Sequence, residues 1–310
     1  MTAEAVQSRV VDDPVFFPPA TGRYFGLVSV PAAGDGKATG VILLSGTHPG
    51  STTIGRNRMW VTLGRALAER GYLALRIDYG GLGESLPAES VYDLDRPAVD
   101  LFHHAVAELR SRGAERILVV GTCFGSRTAV AGAAAEEEGI AGLLLLAPPV
   151  RSTTKGGGGA AHLAMYSSTG DLAKRALSLR TLRQLAGTTR ARRMARLVVV
   201  NKVKSLLGRR PVKRHNGQPS PTDAATAFLE PLRLLAQRRV PMRLVYGDQD
   251  MFWTEFKKAE EGRLGQVLQR AGSGIEVRTV PGVVRGFVSV RIQDISMQSV
   301  LEFVEEHTDG

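Results

Sequence analysis

The chain has 310 residues, 43% hydrophobic and 23% charged, and its 40 Lys and Arg against 30 Asp and Glu leave a formal charge of +10. That balance excludes a disordered chain, and the length is enough to bury a substantial core. One cysteine excludes an intrachain disulfide, the N-terminus lacks the basic start and apolar run of a signal peptide, and the longest apolar stretch is too short to span a bilayer, so a cytoplasmic protein without a transmembrane segment is expected.

In chain order, ATGVILLSG reads as a strand and RMWVTLGRALAERG as a helix ending at Gly71. LALRIDY is the next strand, followed by a Gly-rich turn and a helix through AVDLFHHAVAELRSRG. RILVVG is a third strand, with a helix starting around Gly125, and GLLLLAPP is a fourth. After Pro231 come a helix (PLRLLAQRR), the strand MRLVYG, a helix through residues 255–270, the strand EVRTVPG and a last helix around SMQSVLEFVEEH. The strands are short, continuous apolar runs, the pattern of parallel strands buried on both faces. Their alternation with helices predicts an α/β fold with a doubly wound, mostly parallel sheet.

The positive charge is local. Residues 151–218 hold 16 Lys and Arg against one acid, Asp171, so this segment carries +15 and the rest of the chain −5. A GGGG run opens it, and leucines recurring at three and four residues predict amphipathic helices with basic outer faces. The expected organisation is a core built from 1–150 and 221–310, with a basic helical cap over 151–220.

In doubly wound sheets the chemistry sits beyond the carboxyl ends of the strands, so the loops after the strands matter most. After RILVVG comes Thr122-Cys123-Phe124-Gly125-Ser126, in which Gly121 and Gly125 flank Cys123. This is a G-x-nucleophile-x-G elbow between strand and helix. Small flanking residues permit a sharp turn that lifts one side chain above the sheet. The N–H groups of the following helix then face that side chain, lowering a thiol's pKa and helping to hold an oxyanion. A buried structural cysteine in a tight turn is the alternative.

These motifs together resemble the α/β-hydrolase superfamily. VILLSGTHPG is similar to its oxyanion loop, LALRIDYGGLGES to its D-x-x-G-x-G-x-S strand and turn, GTCFGS to its elbow, MRLVYGDQD to its acid-bearing strand, and VPGVVRGF stands in the place of its histidine loop. The resemblance runs from about Tyr24 to Phe303, and the basic insertion, after the fourth core strand, lies where the superfamily places its cap. TTIGRNRMWVTLGRALAERGYLALRIDYGGLGES is most similar to the serine-aminopeptidase-like branch, which includes exosortase-associated hydrolases. The resemblance implies Cys123 as nucleophile and Asp250 as orienting acid, with Asp248 second to it. It also implies an oxyanion site made by the N–H of Phe124 and one from the stretch around Gly46, Thr47 and His48.

The third triad member is absent. Where the family has G-x-x-H-G-F, this chain has Gly282-Val283-Val284-Arg285-Gly286-Phe287, and a guanidinium stays charged at any working pH. His307 is read as a solvated tail residue and His103 and His104 as surface or core. His48 in the oxyanion loop is the histidine expected nearest Cys123, and His162 is a distant second.

Three readings follow. Cys123 accepts an acyl group from an ester or thioester, for hydrolysis or transfer in bacterial secondary metabolism. Alternatively, Arg285 binds the carboxylate leaving group of an elimination, as in the acetate-eliminating α/β-hydrolase-like enzymes of tetronate biosynthesis. The last reading is a non-catalytic binder on a hydrolase frame. No cofactor and no metal site is expected. The partners expected are a small acyl substrate and an acyl carrier protein at the basic cap; nucleic acid is not expected, since no reading motif accompanies the arginines.

Overall fold

The computed structural model describes residues 10–18, 20–31, 37–46, 52–86, 94–151 and 223–308. The chain divides into two units, Met1–Thr153 with Pro221–Gly310, and Thr154–Ser220. Every described residue belongs to the first unit, so the helices expected over 151–220 lie outside the described residues, apart from Arg151 itself.

The first unit is built on one eight-stranded sheet. Its strands are β1 (Val10–Phe17), β2 (Tyr24–Pro31), β3 (Thr39–Leu44), β4 (Leu73–Ile77), β5 (Arg116–Thr122), β6 (Ile140–Leu146), β7 (Met242–Gly247) and β8 (Ile275–Val280), in the spatial order β1-β2-β4-β3-β5-β6-β7-β8. β1 and β2 pair antiparallel, β2 pairs antiparallel with β4, and every later pairing is parallel. The helices are α1 (Met59–Ala68), α2 (Val99–Ser111), α3 (Phe124–Ala135), α4 (Thr226–Gln237), α5 (Met251–Glu260), α6 (Arg263–Ala271) and α7 (Val290–Glu306). The core lies along β3, β5, β6 and β7, where Val41–Leu44, Ile117–Val120, Leu143–Leu146 and Leu244–Tyr246 are almost wholly buried. Two-sided burial explains why these strands read as unbroken apolar runs.

Three features depart from the sequence reading. β1 and β2 were not expected: VVDDPVFF carries two acids and a proline at the sheet's antiparallel edge, where one side of the ladder is unpaired. α4 begins at Thr226, five residues before Pro231, so the proline sits inside the helix. The helix expected over 255–270 is two helices, α5 and α6, parted at Gly262.

The parallel register places the ends of β3, β5, β6 and β7 at one edge of the sheet. Leu44 lies opposite Gly121, Thr122 opposite Leu146, and Leu146 opposite Val245. The loops leaving this edge carry the candidate chemistry.

Candidate active site

Cys123 follows β5 with φ 52° and ψ −117°, a left-handed conformation that costs a non-glycine residue free energy and aims its side chain away from both strand and helix. Its neighbours are small because nothing larger fits. A Cβ on Gly125 would come within 2.2 Å of the Leu44 carbonyl oxygen and 2.6 Å of that of Ser45, and one on Gly121 within 2.7 Å of Ser126 Cα. The Cys123 N–H donates to the Leu146 carbonyl at 3.1 Å, and the Ser126 N–H to the Cys123 carbonyl at 3.1 Å. One turn into α3, the fully buried Arg127 donates to the carbonyls of Leu94 (2.8 and 3.0 Å) and Pro149 (3.3 Å), which fixes the loops on either side of the elbow.

Burial pushes the Cys123 thiol up to about 11. The Phe124 N–H directed at the sulfur and the charge of Arg285 act the other way, and the Asp250 carboxylate adds to the rise. The expectation that the helix N-terminus would lower this thiol's pKa is therefore corrected: the loss of water outweighs both the N–H and the arginine. Cys123 still keeps part of its surface exposed. The site thus presents a thiol that burial holds protonated.

Asp250 follows β7 and stands at the N-cap position of α5, though its side chain makes no capping bond to that helix. It is 2% exposed. Its Oδ2 accepts from the N–H groups of Val284 (2.9 Å), Gly247 (3.1 Å) and Arg285 (3.2 Å), whereas its Oδ1 is buried with no hydrogen-bond partner. Burial raises its pKa, against the pull of those N–H groups and of the Arg285 charge. Asp248 is exposed and accepts from the Gly282 N–H at 2.7 Å, so it braces the loop after β8.

Arg285 lies on that same loop. Its backbone is tied to Asp250, its Cζ stands 5.7 Å from the centroid of the Phe252 ring, and its charge acts on both Asp250 and Cys123. Cys123, Asp250 and Arg285 are thereby brought together. Phe124 supplies the N–H at the sulfur and packs edge-on to Tyr79, with ring centroids 5.5 Å apart. Gly46 is buried beyond β3, two residues past the Leu44 carbonyl that touches Gly125. Thr47, His48 and His162 lie outside the described residues, as does His215.

The described histidines are elsewhere. His103 Nδ1 is 2.5 Å from Glu136 Oε1, His104 Nε2 is 3.4 Å from Asp100, and His307 Nδ1 pairs with the Phe303 carbonyl at 2.8 Å. His307 is half-buried against Phe303, not a free tail residue, and its carbonyl accepts from Arg116 at the opposite end of β5 from Cys123. One group was missed in the sequence. Glu255 on α5 has its pKa raised by burial, opposed by the charges of Arg151, Lys258 and Arg285. Its spacing of three from Phe252 puts it one turn along the helix that Arg285 covers. Among the described residues no His, Cys, Asp or Glu cluster gathers to hold a metal ion.

A family model described as the alpha/beta hydrolase family matches residues 41–283. No curated protein matches the sequence. Similar solved structures include an esterase of Pyrococcus furiosus, 16% identical over 96% of this chain and 93% of that one, with a TM-score of 0.55. Others are a proline iminopeptidase of Mycobacterium smegmatis (16% identical, 96% and 99% covered, TM-score 0.53) and the thioesterase domain from the curacin biosynthetic pathway (16% identical, 94% and 99% covered, TM-score 0.50). Likeness at this identity speaks to the fold.

Proposed function

The chain belongs to the alpha/beta hydrolase family, and from that premise we propose that it is an acyl ester or thioester enzyme whose reacting atom is Cys123 Sγ. The observation that carries this reading is the placement of Cys123 at a left-handed apex, with the Phe124 N–H on its sulfur and Asp250 and Arg285 in electrostatic reach.

In this mechanism the sulfur attacks the acyl carbonyl carbon. The developing oxyanion lies against the Phe124 N–H and the backbone beyond β3. The intermediate collapses by breaking the bond to the leaving alcohol or thiol, which departs with the proton given up by Cys123. With the thiol near 11, only about one molecule in 10⁴ is ionised at pH 7, so the proton must move during attack. A thioester, which leaves as a stable thiol, suits such a site better than an unactivated ester. With Arg285, which cannot act as a base, standing where the family has its histidine, handing the acyl group to a stronger acceptor fits better than hydrolysis.

Turnover of short N-acetylcysteamine thioesters by wild type and Cys123→Ala, with amine, thiol and water compared as acceptors, tests this. Loss of turnover in Cys123→Ala is expected; undiminished turnover would overturn the reading.

The raised thiol pKa and the neighbouring Arg285 favour a second reading, elimination of an acyloxy group such as acetate. The substrate C–H loses its proton to a base, the acyloxy C–O bond breaks, and Arg285 binds the departing carboxylate. Turnover in H₂¹⁸O separates the two. A carboxylate product free of label marks elimination, and a labelled one marks acyl-enzyme hydrolysis.

A further inference from the structure

Five of the six exposed large hydrophobic side chains among the described residues stand at the edge of the sheet where Cys123 lies. They are Phe16 (54% exposed), Ile54 (52%), Leu86 (51%), Val288 (69%) and Val290 (63%). The sixth, Val11, is near the other end of β1.

The loops that carry the five adjoin in one row. Phe16 Cβ is 3.6 Å from where a Cβ on Gly22 would be. The Leu86 N–H donates to the Arg23 carbonyl at 2.9 Å. The Thr53 N–H donates to Asp78 Oδ1 at 2.6 Å, and Asp78 Oδ2 accepts from the Glu84 N–H, which joins Ile54's loop to Leu86's. Arg56 then donates to the Gly286 carbonyl at 3.1 Å, joining Ile54's loop to the one that carries Val288 and Val290. Trp60 and Phe287 pack edge-on beneath this junction, with centroids 6.0 Å apart.

The same row carries the exposed arginines Arg23, Arg56, Arg58 and Arg291, against the exposed acids Glu84 and Asp100, the latter 3.8 Å from Arg23. Arg58 and its neighbour Asn57 hold left-handed backbone (φ 61° and 51°), at a conformational cost. No helix among the described residues is long and apolar enough to cross a membrane.

We propose that this face docks on an anionic lipid surface, with the aliphatic tips at the acyl boundary and the arginines on lipid phosphates. Scattered aliphatic tips on several loops suit a flat, fluid surface. A protein partner is engaged instead through a few clustered anchors seated in fitted pockets, whereas these five tips stand on separate loops and only Phe16 among them is aromatic. The row's four exposed arginines outnumber its exposed acids and are complementary to acidic headgroups. This docking does not depend on the chemistry of Cys123.

The test is co-sedimentation of the full chain with vesicles of phosphatidylcholine alone and of phosphatidylcholine with phosphatidylglycerol. Salt-sensitive binding to the anionic vesicles only is expected. The triple variant Ile54→Ser/Val288→Ser/Val290→Ser should bind them about tenfold or more weakly. Arg58→Glu and Arg291→Glu should each lose about fivefold. These side chains are exposed, and an unchanged circular dichroism spectrum checks each variant's fold. Failure to bind anionic vesicles at low salt overturns the proposal. So does equal binding by wild type and the triple variant, which would place the contact on another surface, and so does capture by an acidic protein in preference to the vesicles.

Discussion

Replacing Arg285 by histidine inserts an imidazole where the backbone is already fixed, because the N–H groups of Val284 and Arg285 donate to Asp250 Oδ2 at 2.9 and 3.2 Å. Asp250 Oδ1 is buried and without a hydrogen-bond partner, so it is the natural acceptor for Nδ1–H. That leaves Nε2 to take the thiol proton. A thiol near 11 is ionised in about one molecule in 10⁴ at pH 7, and a positioned base that accepts the proton during attack contributes about 10²–10⁴ in rate. Arg285→His is therefore expected to raise kcat/KM on a p-nitrophenyl ester by about 100-fold or more. The pH profile should gain a limb near neutrality in place of a steady climb toward 11. In the double variant with Asp250→Asn, most of this gain should vanish. An unchanged kcat/KM, or a gain that survives Asp250→Asn, would refute the placement of residue 285 between acid and thiol.

Alkylation of Cys123 by iodoacetamide should be slow at neutral pH and rise toward pH 11, and Arg285→Gln should move the midpoint higher because it removes the charge that lowers it. A midpoint below 9 would contradict the dominance of burial. The linked stability has a definite sign. The folded thiol holds its proton more tightly than the free thiol, so its contribution is constant below about pH 9 and falls as the pH rises from 9 toward 11. Thermal unfolding of Cys123→Ala should lose part of that alkaline decline. Gly125→Ala should cost several kcal/mol, roughly the upper range for single substitutions, because its Cβ would lie 2.2 Å from the Leu44 carbonyl oxygen. Gly113→Ala, with φ 92° but nothing within 4 Å, should cost only about 1 kcal/mol; equal losses in urea denaturation would sink the packing argument. Asp250→Ala strands three N–H groups, two of them buried, and should destabilise by about 3 kcal/mol or more, whereas Asp250→Asn, which keeps an acceptor oxygen, should stay within about 1 kcal/mol in the same titration.

The parallel strands and the loops after them were legible in the sequence because two-sided burial writes continuous apolar runs, and because a strand-to-helix turn as tight as Gly121–Gly125 admits few residue types. β1 was not, since Asp12, Asp13 and Pro14 on an antiparallel edge give no such run, nor was β2, where Gly26 and Ser29 interrupt the apolar pattern. The break between α5 and α6 falls at Gly262, a helix breaker inside an otherwise periodic stretch, and Pro231 resembled a helix start while lying in the second turn of one. Asp250 was visible as the end of an acid-bearing strand. Its bare Oδ1 and the proximity of Glu255 to Arg285 were not, because both arise from loops far apart in the chain. The thiol's pKa went the wrong way for one reason: charges and helix ends can be counted in a sequence, but the water lost on burial cannot.

The central claim is that Cys123 takes up an acyl group, and intact-mass spectrometry of the full chain after brief mixing with a butyryl N-acetylcysteamine thioester tests it most directly. The account predicts one added butyryl group, located on Cys123 by peptide mapping and absent in Cys123→Ala. An unmodified chain during active turnover, or a group carried on any other residue, would contradict it.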